Sequence, residues 1–411
     1  MLMSFALSSL RSRGKSVALT FLALLISISV LLSVEHVQRQ AQASFNRTIS
    51  DVDLIVGAPS GQLNLLLYSV FRMGSPTNSI RYASYEMLLT EPQVKWAIPL
   101  SLGDAHHGFR VLGTNQQYFA HYKYGNKQPL TFAQGKSFSN MFDAVVGADV
   151  ASELNYKVGD KIVIAHGLGA VSFKQHDDSP FTVTGILAPT GTPVDKTVHV
   201  SLQGIEAMHA PHARHEAEQE AHEHANAKVN KPDSVTAILV GLNSKFATFT
   251  LQRELNNYDQ DRLMAVLPGV ALNEMWQMMS GVENLLRFIS VLIMLSSLFG
   301  LSTMLLASMH QRQQEIAVLR IMGAGAGTIF RLILLEAVLL ASAASLASVA
   351  LVSGFFAVAR GWLASHYGMF ISANLLNLHT GLVIGAVLLA TLLCSLLPAI
   401  DAYRGALNQR L

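Results

Sequence analysis

Phe288–Met309 reads FISVLIMLSSLFGLSTMLLASM, twenty-two residues without a charge. A helix rises about 1.5 Å per residue, so about 20 apolar residues cross the hydrocarbon core of a bilayer. The stretch is therefore read as a spanning helix, 288–309. Three similar runs flank it at a distance. Ser16–Val34 gives nineteen uncharged residues, Ala337–Ala359 twenty-three and Thr380–Ile400 twenty-one. They predict helices over 16–34, 332–359 and 380–400. The chain of 411 residues is 51% hydrophobic and only 14% charged, with mean hydropathy +0.35, too apolar for a soluble protein of this size.

Lys and Arg mark the cytoplasmic ends of spanning helices. Arg11, Arg13 and Lys15 precede the first run, Arg312, Arg320 and Arg331 lie between the second and third, and Arg404 and Arg410 follow the fourth. The segments 1–15, 310–331 and 401–411 are thus expected in the cytoplasm. A large domain, 38–283, and a short loop, 360–379, are expected outside. Ala41-Gln42-Ala43 has the form that a signal peptidase cuts, but the apolar run before it exceeds a signal core and Glu35–Arg39 separates the two, so an uncleaved anchor is expected. Net charge is +2, which gives no reason to expect nucleic acid. The single cysteine, Cys394, lies in the fourth run, so the external domain must hold together without a disulfide.

The external region reads as mixed α and β. DLIVGAP (53–59), PFTVTGILAP (180–189), TVHVSL (197–202) and SVTAILVGL (234–242) are strand signals, rich in β-branched residues and bounded by Gly and Pro. GQLNLLLYSVF (61–71) has helical spacing. AVVGADVASELNYKVGDKIVIAHG (144–167) reads strand, short helix, Gly-Asp turn, strand. A β-rich subdomain is placed at about 113–227, inserted into a mixed one. LNEMWQMMSGVENLL (272–286) keeps helical spacing up to the second spanning run and reads as a stalk continuous with it. The expected fold is a four-helix membrane protein with a large mixed α/β extracytoplasmic domain carrying an inserted β-rich subdomain.

Between the second and third runs stands HQRQQEIAVLRIMGAGAGTIFRLILLEA, 310–337. Ile316, Leu319 and Ile321 provide apolar positions among polar ones, a pattern that suits docking of a short amphipathic helix on a cytoplasmic partner. The run Glu315–Arg320, followed by Gly323-Ala324 and Leu335-Glu336-Ala337, resembles the signature of MacB/LolCE/FtsX-type ABC transporter permeases. LLPAIDAYRGAL (396–407) is similar to their C-terminal segment, and VVGADVASELNYKVGDKIVI (145–164) to a stretch of their extracytoplasmic domain. The order of elements matches as well.

The resemblance implies a homodimer of permeases in a bacterial inner membrane, working with a separate ABC ATPase that binds ATP and magnesium. Glu315, Ile316, Leu319, Arg320 and Gly323 would form the contact with that ATPase. No G-x-x-x-x-G-K-[ST] stretch occurs here, so the sequence carries no P-loop and looks closer to the LolCE or FtsX arrangement than to MacB, whose nucleotide-binding domain is fused. The chain is accordingly expected to be no enzyme itself. The family passes motion to its external domain rather than substrate between its membrane helices. A narrower resemblance, through DLIVGAP, the 181–209 stretch and the tract described next, is to permeases found beside His-rich periplasmic proteins and linked to zinc limitation.

HAPHARHEAEQEAHEHAN, 209–226, holds His209, His212, His215, His222 and His224 among four glutamates. Neutral imidazoles and carboxylates are zinc ligands, usually four together. The tract reads as a weak zinc collector, and a solvated loop that binds nothing is the competing reading. His166, His176, Asp177, Asp178 and His199 are further candidates that no spacing unites, whereas His106-His107 reads as a surface pair. There is no H-E-x-x-H and no G-x-S-x-G, so neither a metalloprotease nor a serine hydrolase is indicated. Two functions stay open: an ATP-driven permease handling zinc or a zinc ligand, with a periplasmic binding or His-rich protein as partner, and an FtsX-like regulator that transports nothing. Lipoprotein or small-molecule export with an incidental His tract is a variant of the first.

Overall fold

The computed structural model describes residues 10–11, 13–166, 180–209, 232–311, 325–367 and 374–408. The chain divides into a helical unit, Met1–Ala41 with Met279–Leu363 and Phe370–Leu411, and a mixed unit built on Gln42–Met278. In chain order the elements are α1 (Gly14–Thr48), β1 (Leu54–Gly57), α2 (Gln62–Ser69), β2 (Ile80–Arg81), α3 (Tyr82–Thr90), β3 (Val94–His106), β4 (Phe109–Thr114), α4 (Gln117–His121), β5 (Lys123–Tyr124), β6 (Gln128–Pro129), β7 (Phe132–Gly135), β8 (Asp143–Val146), α5 (Ala148–Leu154), β9 (Lys161–Ile162), β10 (Ala165–His166), β11 (Phe181–Leu187), β12 (Thr197–Ser201), α6 (Leu202–His209), β13 (Ser234–Val235), β14 (Ala237–Leu242), α7 (Thr248–Asn256) and β15 (Met264–Val266). Three long helices follow: α8 (Pro268–Gln311), α9 (Ala326–Tyr367) and α10 (Leu378–Asn408).

The mixed unit is organised by one sheet in the order β15-β1-β14-β3-β4-β12-β8-β11-β7, with β10 added on β3 and β9 on β11. The pairs β12–β4 and β11–β8 are parallel and the others antiparallel. Alternation sorts the side chains onto two faces. Ile55, Leu239 and Val145 join a core with Leu65 and Leu66 of α2 and Tyr118 and Phe119 of α4. Leu54, Val56, Ile238 and Val240 face Tyr85, Leu88, Leu251 and Leu255 of α3 and α7. Ala144, Val146, Val198 and Val200 face Val150, Ile205 and Met208 of α5 and α6. Both faces are covered, so β14 is buried at every position and AILVGL shows no polar alternation. Gly147 is required where β8 turns into α5, because a Cβ there would collide with the Asp195 carbonyl. The long strand β3 pairs β14 through Val94–Leu100 and β4 from Ser101 onward, so Ser101–Thr114 lies with the later half of the sheet, upstream of the 113 boundary read from sequence.

Among the described residues four helices are long and apolar enough to cross a membrane: Gly14–Ala43, Pro268–Ala307, Ala326–Ala359 and Leu378–Asp401. Serines join them, as expected where no water competes for hydroxyls. Ser27 meets Ser297, which also donates to the Ala23 carbonyl at 3.3 Å, and Arg287 reaches Glu35 and Gln38 at 3.5 Å, so α1 and α8 are antiparallel. Ser302 of α8 donates to the Cys394 carbonyl of α10 at 3.0 Å. Helices run past the apolar stretches at most ends. α8 is helical to Gln311 and α9 from Ala326, so the described residues at both ends of the expected 310–331 loop are helical. α9 extends to Tyr367 into the 360–379 loop, and α10 continues beyond Ile400 to Asn408. An apolar run reports the thickness of lipid, not where hydrogen bonding stops.

Candidate coupling elements and metal ligands

The mixed unit roots two of the long helices in one core. Phe45 and Ile49 from the end of α1, and Ala271, Leu272, Met275 and Trp276 from the start of α8, join the core under α2 and α4. The Phe45 ring stands edge-on to Trp276 at 5.5 Å and lies 4.8 Å from Phe71. The predicted stalk, 272–286, is part of the single helix α8.

Polar contacts secure the exit of α1. The Tyr122 hydroxyl donates to the Thr48 carbonyl at 2.7 Å. The Ser50 amide donates to the Lys123 carbonyl at 3.0 Å and its hydroxyl to the Gly125 carbonyl at 2.7 Å. Asp51 follows, paired with Lys123 and Lys127 at 2.8 Å each. The hydrogen bond from Lys123, then that from Lys127, holds the Asp51 carboxyl at about pKa 2. Sequence reading missed this anchor because its partners lie 72 residues apart and share no pattern.

The residues expected to meet the ATPase, Glu315, Ile316, Leu319, Arg320 and Gly323, lie outside the described residues. So do His212, His215, His222 and His224, together with His176, Asp177 and Asp178. His209 closes α6. His166 stands opposite Asp104 in the β10–β3 ladder. Among the described residues no three His, Cys, Asp or Glu side chains are grouped to hold a metal ion.

Two histidines turn out to be structural. His199, a metal candidate by sequence, is fully buried, with Nδ1 3.2 Å from the Val145 carbonyl and its ring against Tyr118 and Phe119 at 5.2 and 5.8 Å. Burial, reinforced by Arg72, lowers its pKa to about 3. It is a neutral core residue on the face of β12 opposite Val198 and Val200. His106, expected at the surface, is buried too, between the Val163 carbonyl at 2.6 Å and the Tyr156 hydroxyl at 2.8 Å, and burial lowers its pKa. Only His107 of that pair is exposed. A cavity of about 350 Å³ opens among Tyr82, Asn115, Gln117, Phe138, Asn140 and Gln203. Its lining offers amides and hydroxyls, which do not make a zinc site.

Two families of known proteins match this chain. The MacB-like periplasmic core domain family matches residues 17–258, and the FtsX-like permease C-terminal family matches residues 287–407. No curated protein matches. Among solved structures, the periplasmic region of MacB from Actinobacillus actinomycetemcomitans is similar at 11% identity and TM-score 0.35, over 56% of this chain and 94% of its own. The extracellular domain of the noncanonic ABC-type transporter YknZ from Gram-positive bacteria is similar at 14% identity and TM-score 0.30, over 52% and 98%. With its four spanning helices and a mixed domain matched across most of its length, the chain belongs to the MacB/FtsX-type ABC transporter permeases, membrane proteins with a periplasmic domain.

Proposed function

We propose that this permease subunit couples ATP hydrolysis by a separate ATPase to motion of its periplasmic domain. What supports the reading best is the shared root: the end of α1 and the start of α8 are packed into one core, so displacement of either helix acts directly on that domain. The ATPase docks on the segment around Glu315–Arg320, at the cytoplasmic face that the Lys and Arg distribution assigns, in the inner membrane. Two permeases assemble as a homodimer. The histidine tract adds zinc handling at the periplasmic face, since its five imidazoles and four carboxylates form a zinc-ligand chemistry in a segment with little apolar surface to bury.

The docking site is tested by co-purifying the permease with its ATPase. Replacing Glu315 and Arg320 by alanine is expected to weaken that association or to uncouple hydrolysis from the permease. Unchanged binding and unchanged activity in both variants would reject it.

A further inference from the structure

Within the helical unit, α1 and α9 meet differently from any other pair described. Arg13 Nη2 pairs with Glu336 Oε2 at 2.9 Å, with only 11% and 2% of the two side chains exposed. Twelve residues on, Ser348 of α9 donates to the Leu25 carbonyl of α1 at 3.0 Å. Farther along, the His36 and Phe356 rings pack at 5.2 Å. From the ion pair to the serine bond both helices advance by the same twelve residues, about 18 Å at 1.5 Å per residue. The two helices are therefore parallel and in register. Sliding one past the other by a residue would break both contacts together.

The ion pair gives this register its force. A carboxylate within an apolar spanning helix is costly unless it is paired, and such residues mark functional positions. Glu336 is nearly sealed, so the Arg13 guanidinium is held beside it away from water, and placing a like charge there would be costly. The ion pair between α1 and α8 is weaker. Arg287 meets Glu35 at 3.5 Å with 53% of its side chain exposed, and water and salt weaken such a pair. Glu336 lies ten residues, about 15 Å, into α9, whose start at Ala326 follows the docking segment.

We propose that α1 and α9 move as one body clasped by Arg13 and Glu336, so that displacement entering α9 from the docking segment is delivered to the periplasmic domain through α1. The proposal rests on the coupling function inferred above. Arg13 and Glu336 are positioning residues in it and touch neither nucleotide nor substrate.

The test uses the full permease with its ATPase, reconstituted in lipid, and three readouts: co-purification, ATP hydrolysis, and the nucleotide-dependent change in amide exchange over residues 45–51. Arg13→Glu and Glu336→Arg are expected to keep the ATPase bound and hydrolysing, while the exchange response falls about fivefold or more, the range of ordinary coupling energies. The double reversal is expected to recover most of it. Single variants that respond like wild type, or a double reversal no better than either single, would overturn the proposal. Should a single variant fail to insert, the uncharged pair Arg13→Gln with Glu336→Gln puts no like charges together and must show the same loss; a wild-type response there also overturns it. A wild-type complex whose exchange ignores nucleotide would instead refute the coupling function and carry this inference down with it. A responsive wild type beside responsive variants refutes this inference alone.

Discussion

Leu22 and Ile238 are both aliphatic residues in regular elements, yet Leu22 in α1 is 50% exposed and Ile238 in β14 is 0% exposed. The contrast runs through the two units. The periplasmic domain seals Ile, Leu and Val on both faces of a sheet, while the helical unit turns Leu19, Ile26, Phe299, Phe355 and Leu393 outward. The polar groups differ as well. In the periplasmic domain buried carboxylates are held by loops: Asp195 accepts from the amides of Thr190 and Gly191 and from the Thr190 hydroxyl. In the helical unit serines and the buried Arg13–Glu336 pair join helix to helix. The same hydrophobic effect sorts residues inward in one unit and toward lipid in the other, because the solvent differs.

The sharpest way to break the contrast is to place a charge on each side of it. Ile238→Asp should cost at least about 4 kcal/mol and prevent the periplasmic domain from folding, since the charge has no partner. Leu22→Asp should cost about 3 kcal/mol of insertion although the position is half exposed. Phe246→Asp, at a position 96% exposed in the periplasmic domain, should shift stability by no more than about 0.5 kcal/mol. Membrane yield and thermal melting of the full chain read all three. A Leu22→Asp protein as abundant as Phe246→Asp would mean that α1 faces water.

A smaller effect should follow from pH. His199 has a folded pKa depressed to about 3 and an unfolded value near 6.5. Below about pH 6.5 the unfolded chain takes up a proton that the folded chain refuses. The neutral histidine's contribution is therefore complete above that pH and lost progressively as pH falls toward about 3. By pH 5 the loss from His199 alone is about 2 kcal/mol. His106 acts in the same direction. Comparing wild type with His199→Phe isolates the term from the carboxylates, and identical pH slopes would show that His199 is not buried in solution.

Asp51 should matter less, because a third of its side chain is exposed. Asp51→Asn is expected to cost at most about 1 kcal/mol. With its folded pKa lowered to about 2, its stabilisation is present above about pH 4 and lost as pH falls through 2. The smallest expected change concerns the histidine tract. Replacing His209, His212, His215, His222 and His224 by alanine should remove at least one weak zinc site in titration calorimetry and leave the melting temperature of the metal-free protein unchanged. Binding by wild type should fade below about pH 6, as imidazoles protonate. Equal zinc binding before and after substitution would leave the tract a solvated loop.

Much of the architecture was legible in the sequence because it rests on local pattern. The spanning helices follow from uncharged runs, and α2, β8, α5 and β11 from spacing and turn residues. Legibility stopped where contacts join distant residues. Arg13 is an ordinary flanking cation until α9 brings Glu336 beside it, and His199 looks like any strand histidine until Tyr118 and Phe119 close over it. Glu336 did carry a signal, as a lone carboxylate between apolar residues, but pattern cannot name its partner. The reading of His106 as a surface residue failed for the same reason: Tyr156 and the Val163 carbonyl that bury it lie 50 and 57 residues away.

The central claim is that nucleotide at the partner ATPase moves the periplasmic domain through its helical roots. The most direct measurement is amide exchange over residues 45–51 and 268–276 in the reconstituted permease–ATPase complex, with and without a non-hydrolysable ATP analogue. The account predicts a nucleotide-dependent change in protection at both roots, abolished by Glu315→Ala with Arg320→Ala. Full ATP hydrolysis accompanied by unchanged exchange at both roots would contradict it.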